Sequence, residues 1–284
     1  MPPESAPLAP ALPGPHRRKF LIAALNGTAS YVLAYYLVWG LHQGAKLETS
    51  RYYNLRGTWD PSRISYSLAD GEWWRGAIVA VNGVGPAVCL ALGMGAFLWF
   101  WKRERALRGQ FKLFLLWVAF HSCNAVFGAL LADTFTRTGF WYVPDWLFRF
   151  GTVVNVLLAL VAGGLQLGVG YLAAAPFLQA HDSKTVMQLQ NRRRMLLATL
   201  IGPWVIGSGF IALTKASYFS LYEALHLVVM GLLVVPTALA CLNEVFAETV
   251  KKPRPTRVAW GLVGLAVAVA VAWRLALSPS VTFG

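Results

Sequence analysis

Charged residues are scarce in this chain of 284 residues, because Asp, Glu, Lys and Arg together make up only 13% of it. A soluble globular domain carries roughly 25% charged residues, which it needs to cover its surface. The low charge, together with 57% hydrophobic residues, argues against an ordinary soluble fold. It indicates a protein whose surface faces lipid.

Cysteines are also few, and their positions exclude two kinds of structure. Cys89, Cys123 and Cys241 each lie inside an apolar run, and no two of them form a CxxC pair. A disulfide framework and a thiolate zinc site both need closer or more numerous cysteines. We therefore expect the three thiols to be packing residues.

Long hydrophobic runs, in contrast, recur along the chain, and a transmembrane helix needs about 20 predominantly apolar residues. Seven stretches meet this condition, at about 20–41, 76–101, 111–132, 146–177, 195–214, 221–243 and 258–276. The sequence therefore predicts an all-α fold, a polytopic transmembrane helix bundle of about seven spans, in a single domain over residues 20–284.

Two polar stretches lie outside these runs. Residues 1–19, rich in Pro and Ala, are predicted to be a flexible cytoplasmic tail. They do not resemble a signal peptide, because their basic residues directly precede a span-length run. The longer loop, at about 43–75, contains "RISYSLADG", whose alternation followed by a turn indicates a short hairpin on the membrane surface.

The basic residues that give the chain its net charge of +13 are unevenly distributed. Sixteen of the 25 Lys and Arg lie in "HRRK", "KRERALRGQFK", "KTVMQLQNRRR" and "KKPRPTR", which fall on one side of the predicted bundle. The positive-inside rule then predicts a cytoplasmic N-terminus, in a multi-pass protein of the bacterial inner membrane. We expect this face to meet the anionic lipid headgroups of the bilayer, and not nucleic acid, because its charges border the spans.

Ionisable side chains within the spans are the first candidates for function, since they are costly in hydrocarbon. His121 lies near the middle of the third run with Asn124 on the same face, and Glu223 and His226 form an E-x-x-H pair in the sixth. These groups are compatible with ligand or metal binding and equally with hydrogen bonds between helices. Di-metal bundles need a second such pair, which the chain lacks. Asp133 is expected outside the site, because a regular helix places it about 120° from the His121 face.

The end of the first run carries a second set of candidates, in "HQGAK". His42 and Lys46 lie one helical turn apart, with Gln43 after the histidine. In H-E-x-x-H zinc proteases, two histidines at this spacing bind the metal and the glutamate activates water. Gln43 cannot accept that proton, and the Lys46 ammonium has no lone pair for a metal. The alternative is a polar helix end from which Lys46 reaches the membrane interface.

Residues 30–135 resemble the core of the M50 (site-2 protease) family, in which an H-E-x-G-H helix is followed by a surface hairpin and a helix with a Gly-Pro motif. Here Gly85 and Pro86 lie in the second run, and "FHSCNAVFG" is similar to a later His-containing helix of M50-like proteins. The resemblance implies a degenerate member with His42 at the first ligand position and no hydrolytic zinc chemistry. It also implies a site that faces the cytosol, whereas the charge bias places His42 at the outer end.

Three functional hypotheses remain open at this point. The first is a non-catalytic membrane protein, an M50-like pseudoprotease or scaffold, and the lack of a complete catalytic set favours it. The second is a metal-binding or haem-binding protein that uses His121, Glu223 and His226. The third is a small-solute or proton-coupled transporter, with Asn124, Glu223 and His226 along its path. Gly/Pro interruptions in the fifth and sixth spans are compatible with it.

Overall fold

The predicted all-α transmembrane bundle is confirmed in a computed structural model of the chain. Seven of its helices are long and apolar enough to cross a membrane, so the molecule is a multi-pass membrane protein that lies in a lipid bilayer. Most of the predicted tail, residues 1–13, falls outside the described part of the chain. The structure describes residues 14–103, 106–148, 151–183, 187–243, 253 and 255–284.

The spanning helices are α1, α2, α3, α5, α7, α8 and α9, and two short helices, α4 and α6, connect them. In chain order, the helices are α1 Gly14–Tyr52, α2 Arg75–Arg103, α3 Gly109–Thr136, α4 Tyr142–Phe148, α5 Gly151–Leu172, α6 Ala174–Gln179, α7 Leu189–Tyr218, α8 Leu221–Cys241 and α9 Trp260–Leu277. Two of these helices contain a π-turn, over Asn124–Gly128 in α3 and over Leu197–Ile201 in α7.

The bundle places apolar side chains outside and polar ones inside, as a lipid solvent requires. On α5, the side chains of Val153, Leu160 and Leu172 are exposed, whereas those of Asn155 and Gln166 are fully buried. Lipid tails solvate exposed valine and leucine well, and an amide in hydrocarbon needs protein partners. The helix therefore turns its polar face toward its neighbours α3 and α8.

Helix α1 occupies the centre of the bundle, where it contacts α2, α3, α7 and α9. Its 39 residues extend about 58 Å, nearly twice the roughly 30 Å thickness of the hydrocarbon core. The helix continues past the predicted limit at residue 41, because His42, Gln43 and Ser50 are buried against the rest of the protein. The polar loop therefore begins at about residue 53 and not at 43.

A small antiparallel sheet closes the bundle at the end where α1 terminates. It consists of β1 Gly57–Trp59, β2 Ile64–Tyr66 and β3 Val281–Phe283, in the order β2-β1-β3. The predicted hairpin is present, but its turn precedes "ISY" and does not follow it. Asp60 forms that turn by accepting the backbone N–H groups of Ser62 and Arg63 at 2.7 and 2.9 Å.

The opposite end of the bundle holds the described residues of the basic stretches. There, Asn26 near the start of α1 donates to the carbonyl of Arg257, just before α9, at 2.9 Å. At the same end, Lys112 at the start of α3 pairs with Asp182, which follows α6, at 3.2 Å. We call this the basic end and the other the sheet end. The cytoplasmic placement of the basic end stays a prediction.

Candidate functional site

One face of α1 supplies an aromatic and polar stripe to the interior of the sheet-end half. Tyr35, Trp39, His42 and Lys46 recur every three or four residues, so they share this face. The Trp39 ring is stacked on Tyr35 at 5.9 Å and on His42 at 5.6 Å between ring centroids. These contacts fix the rings in orientation without using their polar atoms.

The degenerate H-x-x-x-K motif does not form a single cluster. The ring of His42 lies directly against α2, where a Cβ on Gly85 would come within 2.5 Å of it. Gln43 is buried, and its Oε1 has no hydrogen-bond partner in the described part of the chain. Lys46 is half-buried and lines a separate cavity near the sheet.

Helix α3 brings Asp133 into the site, contrary to the expectation from a regular helix. The π-turn between His121 and Asp133 accommodates one additional residue, which reduces their angular offset from about 120° to about 20°. The two side chains consequently face the same side of α3. The prediction that Asp133 lies apart from the candidate site is therefore wrong.

Among the described residues, Asp133 forms one of two buried acid–base pairs, with His226 on α8. Its Oδ1 lies 2.8 Å from His226 Nε2, and its Oδ2 accepts the backbone N–H of Phe140 at 2.7 Å. The carboxylate has no solvent exposure. Both of its oxygens thus have partners, which is the condition for keeping a carboxylate buried.

The second buried pair joins Lys215, near the end of α7, to Glu223 near the start of α8. The Lys215 ammonium also donates to the Tyr35 hydroxyl at 2.8 Å, and that hydroxyl donates to Glu223 Oε1 at 3.3 Å. Lys215 Nζ lies 4.8 Å from the centroid of the Trp39 ring, whose π face favours a cation. Both charged side chains are essentially inaccessible to solvent.

Asn124 lies beside these pairs and hydrogen-bonds to two neighbouring helices. Its Nδ2 donates to the carbonyl of His226 at 2.8 Å, and its Oδ1 accepts from Gln166 of α5 at 2.8 Å. The Gln166 amide also reaches the carbonyl of Val229 at 3.3 Å. Asn124 therefore links three helices, and its amide has little hydrogen-bonding capacity left for a ligand.

A small central cavity lies where these groups meet. It measures about 30 Å³, enough for one or two water molecules, and is lined by α1, α3 and α8. Four of its lining side chains carry a buried polar atom with no hydrogen-bond partner among the described residues. These atoms are Trp39 Nε1, His42 Nδ1, His121 Nε2 and Glu223 Oε2.

The arrangement brings together His42, His121, Glu223 and His226 around one cavity. Nevertheless, in the described part of the chain, no three His, Cys, Asp or Glu side chains are placed to hold a metal ion. The Lys215 ammonium on Glu223 would also repel a cation. The unpartnered atoms include a donor, an acceptor and two imidazole nitrogens, a mixture that suits water better than a metal.

A larger cavity of about 470 Å³ lies between the central cavity and the sheet, and we call it the sheet-side vestibule. Its lining residues are Lys46, Ile64, Tyr66, Leu68, Trp73, Ile78, Asn82, Gly139, Tyr142 and Trp146. Gly139, in the wall of the vestibule, lies directly against Asp133, because a Cβ there would lie 2.6 Å from Asp133 Oδ2. The Asp133–His226 pair consequently lies between the vestibule and the central cavity.

Comparison of the chain with protein-family models, with curated proteins and with solved structures finds no match.

The sequence pattern does not single out Tyr35, Trp39 and Lys215, and it excludes Asp133. Lys215 follows the predicted fifth span by one residue, so its position predicts a charged residue in a loop. A signal is nevertheless present, since Lys215 and Glu223 are opposite charges at facing ends of consecutive spans. The aromatic residues of α1 give no comparable signal, because tyrosine and tryptophan are ordinary in spans.

Proposed function

We propose that this membrane protein is a small-solute transporter that also conducts protons, through a path in its sheet-end half. The observation that carries the proposal is the central cavity, where four buried polar atoms have no hydrogen-bond partner among the described residues and where one member of each buried acid–base pair, Glu223 or His226, lines the wall. Ionisable groups within spans characteristically mark proton and substrate paths. The proposal develops the transporter hypothesis and replaces the metal-binding one.

Water in the central cavity would complete the network. Buried water typically makes about three hydrogen bonds to polar groups that otherwise lack partners. A water here would connect the nitrogens of His42 and His121 with the free oxygen of Glu223. Protons can then move between imidazole, water and carboxylate, because an imidazole accepts a proton on one nitrogen and releases one from the other.

The proposed path leads toward the sheet end. Asp133 lies next to the vestibule, its partner His226 lines the central cavity, and Glu223 extends the chain to Lys215. Each step joins groups that are in contact or separated by the water-sized space. Entry of a proton from the vestibule therefore has to pass only the backbone of Gly139 and Phe140, which covers Asp133.

Aromatic packing closes the path toward the basic end. Tyr31 and Trp117 are buried, with ring centroids 4.9 Å apart, and the Tyr31 ring lies 4.5 Å from that of His121. A transporter is closed on one side of its site while open on the other. The packed Tyr31–Trp117 pair supports such a closed side.

The test is proton flux into phosphatidylethanolamine/phosphatidylglycerol vesicles that contain the purified protein and a pH-sensitive dye, driven by a potassium diffusion potential. We expect wild-type flux well above that of protein-free vesicles. His226→Gln keeps a hydrogen-bonding amide beside Asp133 but cannot carry a proton, so flux should fall at least tenfold.

Tyr36→Phe is the matched control, because the Tyr36 hydroxyl bonds Thr214 at 2.7 Å outside the network. Its flux should equal that of the wild type. Equal flux in the wild type and in a folded His226→Gln variant would contradict the proposal.

A second candidate is the non-catalytic scaffold or M50-like pseudoprotease. The contact between His42 and Gly85 favours it, because it sets the degenerate motif directly against the Gly-Pro helix. Gln43 and Lys46 replace the residues that hydrolysis would need. Peptide hydrolysis by the purified protein that disappears in His42→Ala would contradict this candidate.

A further inference from the structure

The sheet-side vestibule has the size and walls of a ligand site. Its volume of about 470 Å³ falls within the roughly 300–1,000 Å³ of small-molecule pockets. Strand β2, helices α1, α2 and α4, and the connections around them all contribute walls. The vestibule is thus formed by several elements and is not a crevice in one loop.

Aromatic rings dominate these walls. Tyr66, Trp73, Tyr142 and Trp146 line the vestibule together with aliphatic side chains. The rings of Tyr66 and Trp73 pack edge to face, with their centroids 5.1 Å apart. The Tyr66 hydroxyl forms a hydrogen bond with the Ser50 hydroxyl at 2.9 Å. Fixed aromatic walls favour a ligand with a compact apolar or planar body.

Lys46 is the one charged side chain among the described residues that line the vestibule. Its ammonium makes no hydrogen bond or salt bridge to a described residue. The acidic group that influences it electrostatically is Asp133, whose two oxygens already contact His226 and the backbone N–H of Phe140. The charge of Lys46 is therefore available to an anionic group that enters the vestibule.

We propose that the vestibule binds a small monocarboxylate with an apolar or aromatic body, its carboxylate paired with Lys46. A single ammonium matches a single carboxylate, and the rings accommodate the rest of the molecule. The proposed binding site depends only on the cavity and not on the proposed function. The further statement that this carboxylate is the transported solute rests on the proposed function.

The experiment uses benzoate as the probe and the full-length protein in phosphatidylethanolamine/phosphatidylglycerol nanodiscs. Binding is measured at equilibrium by calorimetry and by quenching of tryptophan fluorescence. Benzoate should bind saturably, and benzyl alcohol, which has the same ring without the charge, should bind at least tenfold more weakly. Inorganic phosphate should not displace benzoate.

Two substitutions at Lys46 distinguish the effect of its charge on binding from an effect on folding. Lys46→Met keeps the length of the side chain without the charge and should weaken benzoate binding at least tenfold. Lys46→Arg keeps the charge and should retain binding. Lys102→Met, which removes an exposed lysine at the other end of α2, is the control and should bind as the wild type does.

Three results would overturn the inference. They are no saturable binding of benzoate to the wild type, undiminished binding to Lys46→Met, and displacement by phosphate, which would indicate a headgroup site. Because no proton gradient is present, these results are independent of proton flux. His226→Gln should bind benzoate even though it has lost flux, so failure of the site and failure of the relay are distinguishable.

Discussion

At the residue scale, each side chain in the two buried acid–base pairs has a specific partner. Glu223 has Lys215 and Asp133 has His226, and each of these four is buried. Removing one member of such a pair leaves an uncompensated buried charge, which costs about 3–5 kcal/mol. The conservative change His226→Gln, which keeps a hydrogen-bonding group, reduces this cost.

His181 gives a stability test at the same scale, outside the spans. Its Nδ1 contacts the Phe177 carbonyl at 2.8 Å and its Nε2 the Thr199 hydroxyl at 3.0 Å. Burial lowers the pKa of His181 from 6.5 to about 4, and the nearby charge of Lys112 also lowers it, while Asp182 acts in the opposite direction.

Because the unfolded chain binds this proton more readily, stability should fall as the pH decreases from about 6.5 to about 4 and should be constant above 7. Thermal unfolding in detergent across this range is the measurement. His181→Gln should flatten the profile between these values. An equally steep profile in the variant would show that other groups cause the pH dependence.

At the element scale, the central feature is the close packing of α1 on α2 through Gly85. An added methyl group there meets the His42 ring at 2.5 Å, in a position fixed by the stacked Trp39 ring. Gly95, on the same helix, provides the matched site, because a methyl group added there has no other atom within 4 Å.

We expect Gly85→Ala to lower the free energy of unfolding by about 1–3 kcal/mol through overpacking. Gly95→Ala should leave it unchanged or raise it slightly, since alanine favours a helix. The measurement is thermal unfolding of both variants under one condition. Comparable stability of the two variants would mean that α1 and α2 do not pack as described.

The elements also show where sequence reasoning succeeds and where it does not. Seven apolar runs predict seven spans, because hydrophobic length alone determines whether a helix can cross a bilayer. The same reasoning cannot locate a π-turn, so it misplaces Asp133 relative to His121. It ends α1 at residue 41 because the polar residues that follow are buried only by tertiary contacts.

The candidate site could be predicted in part. His121, Asn124, Glu223 and His226 do come together near one cavity, since ionisable residues in spans face the bundle interior. Their meeting depends on the order of helices around α1, which a hydropathy pattern does not contain.

At the scale of the whole molecule, the two ends differ in charge, and this difference predicts the orientation. With the basic end in the cytoplasm, Tyr52→Cys at the sheet end should react with a membrane-impermeant maleimide on intact bacterial cells. Lys102→Cys at the basic end should react only after permeabilisation. Background labelling is limited, because Cys89 and Cys241 are buried and Cys123 is half-buried within the α3 span. The opposite labelling pattern would reverse the orientation.

The pairing of β3 with β1 has a consequence for biogenesis. Thr58 follows the first spanning helix and its register partner Thr282 follows the seventh, so the chain crosses the membrane six times between them. An even number of crossings is the only way in which both strands reach the same side. A chain that failed to insert one helix would leave β3 on the wrong side of the membrane. The three-stranded sheet can therefore form only when an even number of spans has been inserted between β1 and β3.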